Sequence, residues 1–289
     1  MKGIILAAGY GTRLSPATLP ISKSLLPVYD RPMIYYPLSV LMSASIKDIL
    51  IITNERDADN FKRALGDGSQ FGISISYEIQ YIQRGISDAF IIAEKWIDDD
   101  RVALILGDNI FYGKTLNDSL AKAIECESSA VIFGYKVPDP ERFGVVEFDD
   151  KMKVLSIEEK PKEPKSNYAA IGLYFYKKGV SSKAKMLKES KRGELEITDL
   201  NNIYLKDGDL SVILLDDDVK WLDAGTFTSI MDASVFVSDE ENKTGKKILC
   251  PEIVAYEKGF VTKDEILKWV EKNNTSDYFR TIMNELTIK

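Results

Sequence analysis

The sequence predicts a doubly wound α/β fold on a mixed, mostly parallel, Rossmann-like sheet, with a small helical extension toward the C-terminal end. Three observations carry that expectation. Short apolar runs at residues 3–8, 48–53 and 102–107 have the length and composition of buried strands. Stretches with helically spaced apolar residues separate them, the alternation expected of βαβ units. The 289 residues, 45% hydrophobic and 29% charged, suffice to bury a large core.

Taken in order, Gly3-Ile4-Ile5-Leu6-Ala7-Ala8 is the first strand and ends at Gly9. Residues 32–44 carry apolar side chains at helical intervals, and Pro32 suits the first turn because no needed donor is lost there. Residues 48–53 form the next strand and 56–65 a polar helix. Gly66-Asp67-Gly68-Ser69 marks a turn, and 73–79 alternate apolar with polar residues as a half-covered strand does. Residues 80–88 are a loop and 89–96 a helix; the buried strand over 102–107 runs into Asp108-Asn109. A helix over 115–126 and a strand over 130–137 follow, before Pro138 and Pro140 interrupt. Residues 144–148 and 154–159, joined by Asp149-Asp150-Lys151, make an antiparallel excursion, and 167–176 are a further strand. Thr198 is placed to cap a helix through Lys206; 210–215 is a strand, Asp216-Asp217-Asp218 a charged turn and 226–237 a helix. At Asp239 the composition turns polar. The chain therefore divides into a core over 1–238 and an extension over 239–289, with amphipathic helices near 263–272 and 276–286.

Composition narrows the function. The excess of 45 acidic over 38 basic side chains argues against a general nucleic-acid binder, so cations for a phosphorylated ligand must be concentrated locally. The first apolar run stops at Gly9 and nothing approaches a membrane span, which points to a cytoplasmic chain with no membrane partner. Cys126 and Cys250 suit no zinc or redox motif and read as buried small hydrophobes. With no histidine in the chain, Ser-His-Asp and Cys-His nucleophiles, phosphohistidine and His-ligated metals are excluded. Catalysis falls to carboxylates, Lys, Arg, hydroxyls, backbone amides or an oxygen-ligated metal.

Gly9-Tyr10-Gly11-Thr12-Arg13-Leu14 would bring a glycine-bearing turn to the carboxyl edge of the sheet, where backbone amides can face phosphate oxygens. Arg13 closes the turn and Lys23 follows, two permanent cations for one polyanion. The stretch is neither a dinucleotide fingerprint, since Leu14 stands where glycine is needed, nor a P-loop. On spacing alone a plain surface turn remains open. Asp108 at a strand end could ligate Mg²⁺ or simply form a turn, and Asp223, before Ala224-Gly225, repeats the same grammar.

The longer pattern resembles the sugar-1-phosphate nucleotidylyltransferases, the nucleoside-diphospho-sugar pyrophosphorylases. It comprises Gly3 to Gly9, Gly11-Thr12-Arg13-Leu14, Pro16, Thr18 and Lys23-Ser24-Leu25-Leu26-Pro27-Val28. Four later segments are similar to the glucose-1-phosphate thymidylyltransferases within that family. They are Asp30-Arg31-Pro32-Met33-Ile34-Tyr35-Tyr36-Pro37, Asp139-Pro140-Glu141-Arg142-Phe143-Gly144-Val145-Val146, Glu158-Glu159-Lys160-Pro161 and Arg192-Gly193-Glu194-Leu195-Glu196-Ile197-Thr198-Asp199.

The resemblance implies the nucleotide-diphospho-sugar transferase fold and transfer of a thymidylyl group from dTTP to glucose 1-phosphate, the first step toward dTDP-rhamnose. It implies Arg13, Lys23 and Lys160 as catalytic cations, and Leu6, Ala8, Gly9, Gly11, Thr12, Gln80 and Gly85 on the nucleotide. Asn109, Gly144, Glu159, Ala170, Tyr174 and Arg192 would lie on the sugar phosphate, and Asp108 and Asp223 on Mg²⁺. It also implies a homotetramer with an interface site for the pathway end product, dTDP-rhamnose. The chain departs from the family's usual pattern at Tyr81-Ile82-Gln83-Arg84, where a proline-bearing loop is common, at Phe143 in place of tyrosine, and at Ala224 in place of threonine.

A histidine-free site suits this reaction, because the sugar phosphate is already anionic and an oxygen of it can attack the α-phosphorus without a base. Transfer from UTP is the neighbouring alternative, since one methyl separates the bases. A glycosyltransferase using the 216–218 carboxylates, or a non-catalytic nucleotide-sugar sensor, are the others; pyrophosphate release distinguishes the enzyme from both.

Overall fold

Strands buried on both faces alternate their side chains between two covering layers, and that alternation organises the molecule. A computed structural model of the chain describes residues 1–273 and 276–288. Strand β1 (Lys2–Ala7) leads into the opening loop, a short ribbon of β2 (Pro27–Val28) and β3 (Arg31–Pro32), and helix α1 (Tyr35–Ser43). Next come β4 (Asp48–Thr53), α2 (Ala58–Leu65), β5 (Ser74–Ile79), α3 (Asp88–Ile92), α4 (Glu94–Ile97) and β6 (Val102–Leu106). After these lie β7 (Asn109–Tyr112), α5 (Leu116–Glu125), β8 (Ala130–Lys136), β9 (Gly144–Phe148), β10 (Val154–Glu159) and β11 (Tyr168–Tyr176). The remainder is α6 (Val180–Ala184), α7 (Ile197–Lys206), β12 (Leu210–Leu214), β13 (Lys220–Asp223), α8 (Phe227–Thr244), α9 (Pro251–Glu257), α10 (Lys263–Lys272) and α11 (Asp277–Ile288).

The strands β5, β4, β1 and β6 are parallel neighbours in that order. β11 runs antiparallel between β6 and β8, and β12 lies parallel on the far side of β8. The first half of β11 also pairs with β9, which pairs with β10, so a second wall rises from the main sheet. Ile5, Ile51 and Ile105 face a layer that includes Leu38, Phe61 and Leu120 of α1, α2 and α5. Ile4, Ile52 and Leu104 face the opposite layer, with Phe90 of α3 and Leu200 and Tyr204 of α7. The fold is the doubly wound, mixed architecture expected. Each fully buried aliphatic side chain contributes about 1.5–3 kcal/mol.

Local competition moved several boundaries. The helix expected over 32–44 begins at Tyr35, because Arg31-Pro32 pairs with Pro27-Val28 in the ribbon. The helix expected over 89–96 breaks at Ala93 into α3 and α4. Thr198 lies inside α7, which is preceded by Glu196 at the cap position, so the threonine hydroxyl is free for another partner. Thr226 caps α8 by accepting from the Ser229 amide at 3.1 Å, and the helix runs to Thr244, so the change of composition at Asp239 falls inside a helix. Cys250 is buried as expected, whereas Cys126 is half-buried. No helix among the described residues is long and apolar enough to cross a membrane.

The extension packs on its own core. Ile253, Ile266, Val270, Tyr278, Ile282 and Leu286 form one apolar cluster, and the Trp269 ring lies 6.0 Å from that of Phe71. A buried charge cluster completes the attachment. The guanidinium of Arg31 donates to Glu241 of α8, to the Ile248 carbonyl at 2.7 Å and to Asp30 at 2.8 Å, between the rings of Tyr36 and Tyr278. Lys247 joins the same two carboxylates. Removing one partner leaves an uncompensated buried charge, so Arg31→Met should destabilise the chain by about 3–5 kcal/mol in urea unfolding. Adding Glu241→Gln to that variant should cost far less than the two single changes summed. Additive losses would contradict the coupling.

Candidate active site

The carboxyl ends of β1, β5 and β6 open into a cleft of about 700 Å³. Its floor is the opening loop. Asn54, buried at the end of β4, donates to the Ala8 carbonyl at 3.2 Å and ties down the start of that loop. Gly11 adopts φ 63°, and a Cβ there would sit 3.0 Å from Thr18 Cγ2 and 3.1 Å from Lys23 Cβ, so both conformation and space require glycine. Leu6, Gly9, Arg13 and Lys23 line the cleft. Ala8, Gly11 and Thr12 belong to the loop but do not line it; Ala8 is buried.

Two carboxylates face each other across the floor. Asp108 follows β6, and β13 pairs with β7 so that Asp223 lies opposite Asn109, with the Ala224 amide donating to the Asp108 carbonyl at 3.0 Å. Burial and the neighbouring Asp108 push the Asp223 carboxyl up to about 6, against the pull of Lys23, Arg13 and Arg142. Burial would also raise Asp108, but the Lys23 ammonium bonded to it, with Asn109 donating at 3.0 Å, holds its carboxyl below the ordinary range. Asn109 is oriented in turn by the Trp221 indole, which donates to Oδ1 at 2.7 Å. Such a pair of carboxylate oxygens suits a divalent cation that takes its other ligands from phosphates and water.

The opposite wall comes from β9 to β11 and the start of α7. Glu159, at the end of β10, accepts from the Thr198 hydroxyl at 2.6 Å and lies 3.7 Å from the Lys160 ammonium and 3.4 Å from Arg192. Arg192 also donates to both Glu194 oxygens at 3.0 Å. A Cβ on Gly144 would approach Thr198 Oγ1 to 2.9 Å, so glycine lets these two groups meet. Lys160 adopts φ 47°, an unusual conformation for a lysine, held by its amide donating to the Phe143 carbonyl at 2.9 Å. Ala170 and Tyr174 complete this wall, and Gln80 and Gly85 lie near the end of β5.

One cleft thus collects Arg13, Lys23, Lys160, Leu6, Gly9, Gln80, Gly85, Asn109, Gly144, Glu159, Ala170, Tyr174, Arg192, Asp108 and Asp223. It also contains Gln83, Arg142 and Trp221, to which the sequence assigns no role, and Thr198, expected only as a helix cap. Arg142 and Thr198 stand inside motifs already quoted and Trp221 lies two residues before Asp223, so position was the available signal; Gln83 carried none. The 216–218 carboxylates lie outside the cleft, and Asp218 accepts from the Thr115 hydroxyl at 2.6 Å and amide at 3.1 Å, the role of a turn.

The nucleotidyl transferase family model matches residues 2–240. A glucose-1-phosphate thymidylyltransferase of Neisseria meningitidis is 51% identical over 288 residues, covering 99% of this chain and 100% of its own. One of Mycolicibacterium smegmatis is 53% identical, covering 92% of each chain. A solved structure from Bacillus anthracis, provisionally described as a glucose-1-phosphate thymidylyltransferase and determined with a sucrose, superposes with a TM-score of 0.77 at 44% identity, over 83% of this chain and 96% of its own. A UDP-glucose pyrophosphorylase bound to UDP-glucose shares the fold, with a TM-score of 0.72 at 24% identity, over 83% of this chain and 98% of its own.

Ionising Asp223 beside Asp108 costs stability. With a chelator present, Asp223→Asn should raise the melting temperature by roughly 2 °C or more, because one of two repelling charges is removed. Asp108→Asn should lower it, since the Lys23 ammonium loses its partner. Calorimetric shifts of the same sign in both variants would refute the electrostatic account.

Proposed function

The chain belongs to the nucleotidyl transferase family, and from that premise we propose that it transfers the thymidylyl group of dTTP to glucose 1-phosphate, releasing pyrophosphate and dTDP-glucose. One observation carries the reading. A single cleft presents loop cations and a carboxylate pair on one wall, and hydroxyl-accepting and cationic side chains on the other, in a chain about half identical to named thymidylyltransferases over nearly its whole length.

A phosphate oxygen of the sugar phosphate attacks the α-phosphorus, a new P–O bond forms, and the bond to the bridging oxygen breaks with its electron pair leaving on pyrophosphate. No proton has to be removed. The work left for the side chains is to bring two anions into line and to stabilise charge where it develops. Arg13 meets the departing pyrophosphate with a planar fork, and Lys23, now on Asp108, is placed to reach the α-phosphate as a point charge. Lys160 aligns the attacking phosphate with Arg192, which exchanges Glu194 for it. Glu159, oriented by Thr198, accepts from hexose hydroxyls. Asp108 and Asp223 fit Mg²⁺, which when bound supplies positive charge to nucleotide phosphate oxygens.

We also infer a homo-oligomer, in keeping with the tetramer that the resemblance implies. Phe227, Met231 and Val235 recur every fourth residue along α8, and each is about half exposed or more. That is an apolar stripe without a partner in a single chain.

Pyrophosphate should appear only when a pyrimidine triphosphate, a hexose 1-phosphate and Mg²⁺ are combined, and dTTP with glucose 1-phosphate should be the best pair. A coupled phosphate assay across four triphosphates and several sugar phosphates reads this, and no turnover by folded protein would end the proposal. In the same assay Asp108→Asn should lower kcat by roughly 100-fold or more. Met231→Asp combined with Val235→Asp should reduce the mass seen by light scattering to one chain; an unchanged mass would place the interface elsewhere.

A further inference from the structure

The loop between β5 and α3 is where this chain departs most from its family's pattern, and its side chains decide how Gln80 meets the cleft. Gln80 is 3% exposed, and its amide nitrogen donates to Asp88 Oδ2 at 3.0 Å and to the Gly85 carbonyl at 3.3 Å. An ionised carboxylate and a backbone carbonyl both only accept, so chemistry sets the orientation of the amide. The nitrogen faces them, and Oε1, which no donor among the described residues reaches, is left for a ligand. A glutamine that could both donate and accept is thereby reduced to an acceptor. Asp88 is itself 2% exposed, and its other oxygen accepts at 2.6 Å from Arg84, four residues earlier in the loop. Neither the aspartate nor the arginine stands in the family pattern quoted for this site.

We propose that Asp88, held by Arg84, is a positioning residue for base selection: it locks the Gln80 amide as an acceptor, so the cleft takes a pyrimidine carrying N–H at N3 and rejects cytosine. Thymine and uracil present that hydrogen to Oε1. Cytosine presents a lone pair to a lone pair. Reversing the amide would relieve that clash only by turning Oε1 onto the Asp88 carboxylate and the Gly85 carbonyl, in a buried setting where the repulsion is poorly screened. The discrimination therefore rests on a side chain that need not touch the base. This inference rests on the nucleotidyl-transfer reading above.

The test compares kcat/KM for dTTP and dCTP in the wild type and in Asp88→Asn, whose amide can offer either an oxygen or a nitrogen to Gln80. The dTTP:dCTP ratio should fall by about 10-fold or more, the worth of one buried unsatisfied group. Asp88→Glu keeps an acceptor behind the Gln80 amide, and should hold the ratio to within a few-fold of wild type. If Asp88→Asn does not fold, Arg84→Gln should shift the ratio in the same direction by a smaller factor. A role in stability alone would lower turnover of both triphosphates equally, and an unmoved ratio would overturn the proposal. Should the wild type fail to turn over dTTP, the functional reading falls, but calorimetric binding of dTMP against dCMP in the same variants still reads the ratio and decides the inference separately.

Discussion

The carboxylates of Asp108 and Asp223 repel each other and are nonetheless held together by the register in which β13 pairs with β7. Register is a strong constraint: a slip of one residue would turn Asp223 away and present Leu222 to the cleft. The surrounding groups offset the repulsion unequally. Asp108 has Lys23 and Asn109 in direct contact, whereas the cations acting on Asp223 leave its carboxyl well above the ordinary range. The site thus sets a repelling carboxylate pair among the loop cations Arg13 and Lys23, an arrangement matched to a polyanion that arrives with its own counterions.

Much of the scaffold was legible because its signals are local. A run such as Asp48 to Thr53 is strand-like whatever surrounds it, and the opening turn announces itself through Gly11. Boundaries failed where a distant partner decided them. Nothing near residue 241 says that Glu241 is buried, since its partner Arg31 lies 210 residues away, and a polar stretch that contains it read as the end of a helix. Thr198 failed for the same reason: a hydroxyl at a helix start looks like a cap until Glu159, at the end of a distant strand, accepts its hydrogen bond.

The walls of the cleft show the same division. Arg13, Lys23 and Lys160 were readable as charges within ordered motifs, but their pairings were not. Lys23 rests on Asp108, and Arg192 rests among Glu159, Glu194 and Glu196, so two cations assigned to phosphates are occupied by carboxylates in this state. A phosphate entering the cleft exchanges one set of charge-assisted hydrogen bonds for another instead of meeting bare cations.

Helix α8 has a mechanical consequence. It starts four residues after Asp223, at a cap formed by Thr226, and near its far end Glu241 is gripped by Arg31 and Lys247. Its 18 residues make a rod about 27 Å long, so a tilt of about 2° at one end displaces the other by about 1 Å. The grip on Glu241 therefore anchors one end of a rod whose other end is capped three residues beyond the floor carboxylate, so the C-terminal helices brace an element that leads away from a side chain they never touch.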